Sequence, residues 1–528
     1  MQTLRAVSRL LRQKLGQLPY LLVVLAMLVP AGGLARAADL AQTTARTAAA
    51  EGEVFVVNVA YDGDDESCDP VEYEGDCTLR EALHAANSNP GLDTIEFDIV
   101  DYYEALPAIT DPVIVDGYSQ PGASPNTLAV GSDAVLQIAL NGGECSLYSG
   151  EYYWEGGYGV DPCPALTIAA SGGGSTIRGL SITGPFHDAI VVEGGGGSTI
   201  AGNWIGLRPD GAPDGVGASG IYLNNTADNT VGGTSPADRN VISANRDGIF
   251  FAAGAGDTTG NTVLGNYLGT DAAGVNALGN SDHGVFMSLF GPYSLSGNTI
   301  GGDSPAARNV ISGNGLFNVR VQQGTDNVIA GNYLGTNAAG TAAIFFPEGG
   351  EGGEGERNWL DGGAAAGAGG GIQIVGGSGN VISGSADARQ VISGHPDRAV
   401  FFTAGTADNQ LVGNYIGTDA DGLDAIPNSR ETVHLDAASG TLIQDNLISG
   451  NAGVGIRLTG EGVYGNSIVG NWIGVDATGL AALPNASGIV LDTGANGNTI
   501  GGADEGDRNV ISGNNGTGFQ EGRGIHIA

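Results

Sequence analysis

The sequence predicts an all-β solenoid: a parallel β-helix with three short strands per coil and one short helix capping its N-terminal end. Three observations predict it. First, a short apolar unit returns from residue 220 onward, as Gly220-Ile221-Tyr222-Leu223, Gly248-Ile249-Phe250-Phe251 and Gly284-Val285-Phe286-Met287. It continues through Val319-Arg320-Val321, Gly371-Ile372-Gln373-Ile374, Val400-Phe401-Phe402, Val433-His434-Leu435, Gly455–Leu458, Gly488–Leu491 and Gly524–Ile527. Apolar residues at i and i+2 mark strands rather than helices, and a period mostly of about 23–36 residues is that of a solenoid coil. Second, two further motifs fall between these units: Asn229-Thr230-Val231-Gly232-Gly233, again at Asn298–Gly302 and Asn498–Gly502, and Asn240-Val241-Ile242-Ser243, again at Asn309–Ser312, Asn446–Ser449 and Asn509–Ser512. Each coil therefore holds three strands. Third, 93 of 528 residues are glycine, far above the usual share of about 7%, as tight corners with positive φ require.

Stacked coils satisfy one another. Each strand hydrogen-bonds to the coils above and below at a spacing of ~4.8 Å, and inward Ile and Val form a core that no single repeat can bury alone. Asparagine returns at the corners because its side-chain amide can bond to its counterpart one coil away, so internal asparagine ladders are expected. Earlier strands near Val113–Val115, Leu136–Ile138, Leu166–Ile168 and Ile190–Val192 bring the expectation to about fourteen coils, a rod on the order of 65 Å. Two packed sheets would need longer strands, and a propeller would need four strands per blade.

The ends read differently. Thr78-Leu79-Arg80-Glu81 opens the clearest helix of the chain, a capping-box pattern with Leu79, Leu83 and Ala86 on one face and Asn89-Pro90-Gly91 as its stop. It is expected to cover the first coil. Residues 1–37 read as a secretory signal: Arg5, Arg9, Arg12 and Lys14 precede the apolar run Leu21–Pro30, and Ala35-Arg36-Ala37 offers a cleavage site. That run is too short to span a bilayer, so no membrane span is expected after its removal. Residues 38–53 read as a linker, 54–165 as the cap and first coils with disulfides, and 166–528 as repeats, with a Gly/Glu-rich loop insertion at 347–371. Export makes Cys68, Cys77, Cys145 and Cys163 disulfide candidates. Local pairing, Cys68–Cys77 and Cys145–Cys163, is preferred among the three possible pairings, and no Cys-x-x-Cys or paired-His spacing supports zinc.

The segment Cys77-Thr78-Leu79-Arg80-Glu81-Ala82, then Ala86-Asn87 and Asp93-Thr94-Ile95-Glu96-Phe97, resembles the N-terminal Cys-Ser-Leu-Arg-Glu-Ala (CSLREA-type) module of bacterial secreted β-helix repeat proteins. Asp111–Gly117 with Gln120-Pro121-Gly122 looks like the first coil of that family, and the Gly-Asn-Tyr-Ile-Gly and Asn-Val-Ile-Ser-Gly repeats match its body. The resemblance implies a right-handed parallel β-helix of the pectin-lyase-like superfold. That superfold includes polysaccharide lyases, hydrolases and epimerases. A hydrolase pattern with Gly-His-Gly and Arg-x-Lys is absent. Tyr158-Gly159-Val160-Asp161-Pro162 is similar to part of an alginate epimerase signature, but Cys163 stands where that signature has histidine.

Composition narrows the partners. The formal charge is −37 and Lys14 is the one lysine; removal of five cations and no acid with residues 1–37 takes the charge to −42. Nucleic acid, which needs clustered cations, is excluded as a partner. Two recurrent features are candidate substrate-binding residues. Trp204, Tyr267, Tyr333, Tyr415 and Trp472 follow the asparagine of the Gly-Asn-Trp/Tyr-Ile/Leu-Gly motif, and alternation turns them outward, either as exposed faces for sugar stacking or as rings packed beneath the loops that follow. Arg239, Arg308, Arg389 and Arg508 precede a strand, either bonded to turn carbonyls and to Asp238 or Asp507, or forming a row for an acidic polymer. His187, His283, His395, His434 and His526 form no recognisable constellation and are expected to face solvent. No catalytic residue, metal site or cofactor is assigned; calcium is a candidate at Asp62, Asp64, Asp65, Glu66 and Asp69, or at Asp419 and Asp421, against the plainer reading of these loops as solvated turns.

The expectation for function is an exported, non-catalytic surface for adhesion or binding of cell-surface or matrix glycans. A polysaccharide-active enzyme and a structural spacer are the alternatives. The strand unit Gly524–Ala528 leaves the last coil without a cap, which invites end-to-end self-association.

Overall fold

The computed structural model describes residues 52–58, 68, 77–97, 106–142, 163–345, 369–492, 494–516 and 522–528. The proposed signal, Asp62–Glu66 and Asp69, Tyr158–Pro162 and residues 347–368 of the loop insertion lie outside them.

Three long parallel sheets run through the described residues, with 14, 12 and 12 strands. From Val113 onward the chain visits them in turn, once per coil, and each pairing is between strands of successive coils, while Val54–Val57 and Asp93–Phe97 extend the first sheet alone. This is a parallel β-helix. In the third sheet, Ile221 stands opposite Ile190 on one side and Ile249 on the other, and Ile249 stands opposite Val285. The column continues through Val319, Ile372, Val400, Val433, Ile456 and Ile489, all fully buried. A second inward column two residues on runs Leu223, Phe251, Met287, Val321, Ile374, Phe402, Leu435 and Leu458. Matching columns on the other two sheets, such as Val231–Val263–Ile300 and Ile242–Leu268–Ile311, close the same core.

Asparagine holds the corners. One ladder runs Asn203, Asn240, Asn266, Asn309, Asn332, each Nδ2 donating to the next Oδ1 at 2.9–3.2 Å. A second runs Asn229, Asn261, Asn298, Asn327, Asn380, Asn409. A third starts at Asn245, Asn280 and Asn314. Most of these amides also donate to a main-chain carbonyl of the core, as Asn240 does to Ile200 O, so a buried polar group becomes a satisfied one.

The expected helix, α1 (Leu79–Ser88), is the one α-helix among the described residues, and its capping box is formed by Thr78 and Glu81. Leu79, Ala82, Leu83 and Ala86 are buried, packed on strands Val54–Val57 and Asp93–Phe97. The Cys68–Cys77 bridge, over nine residues, ties down its start. Cys163 is also disulfide-bonded, and Cys145 lies outside the described residues. The early strands correct one count: Val113–Asp116, Ile138–Asn141 and Leu166–Ile168 belong to three different sheets, so they do not mark separate coils. Among the described residues no helix is long and apolar enough to cross a membrane.

Candidate functional site

The residue between the two inward columns of the third sheet points outward, and register stacks these residues into one line. It reads Val191, Tyr222, Phe250, Phe286, Arg320, Gln373, Phe401, His434, Arg457. Three residues upstream a parallel line carries Asp188, Ser219, Asp247 and His283, and farther along Arg398 and Glu431. The face therefore gathers aromatic, cationic, anionic and imidazole groups on a rigid scaffold; Tyr222, Phe250, Phe286 and Arg457 are half-buried, and Arg320, Gln373, Phe401 and His434 are covered by their neighbours.

Its N-terminal half is aromatic. Tyr222 stacks on Phe250 at 5.2 Å between ring centroids and Phe250 on Phe286 at 4.9 Å, while Phe290 meets Phe250 edge-on at 6.2 Å. His283 covers Phe286 at 4.9 Å. These rings spend their faces on one another and present edges outward. Burial, with the Asp188 charge adding to it, pushes the Tyr222 phenol up to about 12. Asp247 Oδ1 accepts from His283 Nδ1 at 2.8 Å and from its backbone N–H, and His283 Nε2 is buried without a hydrogen-bond partner.

Its C-terminal half is a charge network. Arg398 Nε donates to His434 Nδ1 at 3.0 Å, and His434 Nε2 then donates to Thr459 Oγ1 at 2.8 Å. Phe401 packs flat on His434 at 5.1 Å and lies under the Arg398 guanidinium at 4.6 Å. Arg457 holds Glu431 Oε1 at 2.7 Å and Asp492 Oδ2 at 2.8 Å. Arg398 and Arg430 both approach Asp397 Oδ1, at 3.4 and 3.6 Å. Burial, then the Arg398 charge, pushes the His434 imidazole down to about 4, so it is neutral at pH 7. Burial raises the Asp397 carboxyl. For Glu431, burial pulls upward, but its own backbone N–H, Arg398 and Arg457 together hold it below the usual carboxylate range. A cavity of about 330 Å³ opens beside these groups, lined by Arg398, Arg430, Glu431, Gly453 and Val454.

The residues singled out in the sequence lie on the second sheet and its corners. Trp204, Tyr267 and Tyr333 are buried, Tyr415 is half-buried and Trp472 alone is exposed, at 36%. The row of open ring faces is therefore not formed, because the loops that follow fold back over the rings. A Cβ at Gly274 would stand 2.8 Å from the Tyr267 ring, at Gly340 2.8 Å from Tyr333, and at Gly422 2.7 Å from Tyr415. These loops also stack on one another, Ala338 N on Gly274 O, Ala420 N on Gly340 O and Ala477 N on Gly422 O. Each ring also carries an arginine: Arg239 over Tyr267 at 4.6 Å, Arg308 over Tyr333 at 4.0 Å and Arg389 over Tyr415 at 4.3 Å. One donor of each arginine goes to a turn carbonyl, of Gly265, Gly331 and Gly413 respectively, whereas Asp238 and Asp507 close the capping boxes of their own turns. Arg508 stays exposed.

The histidine expectation is corrected. His283, His395 and His434 are buried at 4, 2 and 7% exposure, because His283 finds Asp247, His395 finds Asn318 and Asn428, and His434 finds the Arg398 guanidinium and Thr459. Asp419 Oδ1 accepts the amides of Leu423 and Asp424, a turn role, and among the described residues no group of three or more His, Cys, Asp or Glu is arranged to hold a metal. The candidate face itself was legible only by reading the third residue of each Gly-Ile-x-Leu unit down the whole set.

No family model and no curated protein matches the sequence, so the likeness of Cys77–Ala82 to a secreted module is one of motif. Solved structures show similarity at low level. The Dettilon tailspike protein gp208 has TM-score 0.37 and 17% identity over 85% of this chain, and the match covers 64% of the tailspike chain. The A-module of the Azotobacter vinelandii mannuronan C-5 epimerase AlgE6 has TM-score 0.38 and 13% identity, covering 85% of this chain and 93% of its own. Pectate lyase Pel9A has TM-score 0.35 and 13% identity, covering 83% of each.

Proposed function

We propose that this is an exported, non-catalytic β-helix that binds a linear glycan along the outward face of its third sheet. The observation that carries the reading is the Arg398–His434–Glu431–Arg457 network beside Phe401 and the cavity. It offers fixed donors and acceptors, the three arginines Arg398, Arg430 and Arg457 being offset by Glu431, Asp397 and Asp492, the pattern that suits a polyhydroxyl ligand. The face repeats every ~4.8 Å, so a ligand that follows it is itself linear and repetitive. Residues 1–37, with their basic start and apolar run, support export.

Absence of turnover has its own support. Around the cavity Glu431 is held ionised, His434 uses both ring nitrogens and Asp397 is fully buried, which leaves no group poised to exchange a proton near pH 7. Incubation with a glycan panel tests the reading: saturable binding without new reducing ends or unsaturated products is expected, and product formation overturns it. One observation favours an enzyme instead, the Asp247–His283 pair with its unpartnered Nε2, the arrangement of an oriented general base. Turnover lost in His283→Ala would establish that second reading.

A further inference from the structure

Resting on the glycan-binding reading above, we propose that the cavity between Arg398, Arg430 and Glu431 is the subsite for a sugar that carries an oxyanion, a carboxylate or a sulfate ester. The argument starts from how this chain treats its arginines. Arg208, Arg246 and Arg457, each at least a quarter exposed, hold a carboxylate oxygen at 2.9, 2.8 and 2.7 Å. Arg178 pairs with Asp116 in the same way. Arg430 differs from these four. Its side chain is 46% exposed, and its nearest carboxylate oxygen is Asp397 Oδ1 at 3.6 Å, the same atom that accepts from Arg398. That carboxylate is 1% exposed and cannot swing out to complete the pair.

The cavity gives those donors somewhere to point. Gly453 forms part of its wall, and a Cβ there would fall 1.9 Å from the main-chain carbonyl oxygen of Arg430, so the close approach of the two main chains holds this wall position to glycine. Val454 supplies an apolar wall for a sugar ring. Glu431, anchored by Arg457, supplies an acceptor for a hydroxyl. A planar or tetrahedral oxyanion gives Arg430 the two-pronged partner it lacks, and such pairs are the strong form of hydrogen bond. The charge of the whole chain does not oppose this at contact, since screening confines its field to about 8 Å at physiological ionic strength.

The test is calorimetric titration of the full chain with three oligosaccharides of equal length: an oligouronate, its carboxyl-reduced neutral counterpart and a sulfated form of that neutral chain. The expected result is binding of one or both acidic chains about tenfold or more tighter than the neutral one. The acidic arm that binds identifies the oxyanion. Arg430→Gln, at a half-exposed position, is expected to keep its thermal midpoint and erase the preference, while Arg208→Gln, outside this face, keeps it. Equal binding of all three chains, or a preference that survives Arg430→Gln, overturns the subsite and leaves the glycan-binding reading standing. Binding of none of them, nor of any glycan of the panel, overturns both.

Discussion

His395 is built into an asparagine ladder, and its position makes a quantitative demand on acid stability. The third ladder passes from Asn314 to Asn318, from Asn318 Nδ2 to His395 Nε2 at 2.9 Å, and from His395 Nδ1 to Asn428 Oδ1 at 2.8 Å, before it returns to asparagine at Asn451 and Asn485. The partners fix the tautomer: Nδ1 carries the proton and Nε2 accepts. A second proton on Nε2 would face the N–H of Asn318 inside the core. Burial accordingly pushes this imidazole from 6.5 down to about 4. Between those values the unfolded chain binds a proton that the folded chain refuses. The contribution to stability is therefore complete above about pH 6.5, shrinks as pH falls, and is gone near pH 4. A shift of that size corresponds to roughly 3 kcal/mol. The perturbation is His395→Asn, which keeps an amide in the ladder and does not titrate. Urea unfolding of both proteins from pH 7 to 4 is the assay. Because every carboxylate titrates equally in the two, their difference isolates His395, and the variant should gain about 3 kcal/mol on the wild type over that interval. A difference that stays flat with pH refutes the reasoning, and so does a His395 titration midpoint near 6.5 by NMR.

Other outcomes follow from the same contacts. Thr441 interrupts the second ladder between Asn409 and Asn466, leaving Asn409 Nδ2 and its own Oγ1 buried without partners; Thr441→Asn should raise stability by about 1–2 kcal/mol, read as a higher denaturation midpoint. Ile249→Ala, in the middle of a fully buried column, should cost about 3 kcal/mol by the same measurement. Arg308→Ala removes the guanidinium over Tyr333 and should cost about 1 kcal/mol. Below about pH 4, protonated His434 no longer accepts from Arg398, so glycan affinity measured by titration should fall as the buffer passes through that value.

Much of the fold was legible because one period governs it. Ile221, Ile249 and Val285 recur at the same place in each unit, and register converts that spacing into a column. The asparagine ladders were legible for the same reason. The cover over Tyr267 was not: alternation decides that the ring leaves the core, but the loop that lies on it and the arginine 28 residues upstream belong to contacts between coils. His395 carried a signal that motif-by-motif inspection passes over. Val391-Ile392-Ser393-Gly394-His395 aligns with Val310-Ile311-Ser312-Gly313-Asn314, so the histidine occupies a ladder position and must be buried and neutral. Asn318 is the complementary case, standing where the aligned units have Gly284 and Gly371, and it reaches into the ladder to meet that histidine.

The same reasoning moves the candidate site from the second sheet to the third. In a chain where each outward residue has its neighbours one coil away, chemistry is assembled across 25–40 residues of sequence: Asp247 with His283, Arg398 with His434, Glu431 with Arg457, at separations of 36, 36 and 26. A local motif search looks along the strand and finds single residues, each plausible as a solvated side chain. Reading down the column finds ion pairs, stacked rings and an arginine with unused donors beside an open space. The second-sheet aromatics, although more regular in sequence, are spent on packing against loops and guanidiniums. Regularity there marks a structural clamp, whereas the third sheet departs from its own repeat, from Phe286 to Arg320 to Gln373 to Phe401 to His434. Arg320, Gln373, Phe401 and His434 are all buried, so each of these side chains is matched to its neighbours one coil away, and it is beside them, at the exposed Arg430 and the cavity, that a ligand is to be tested.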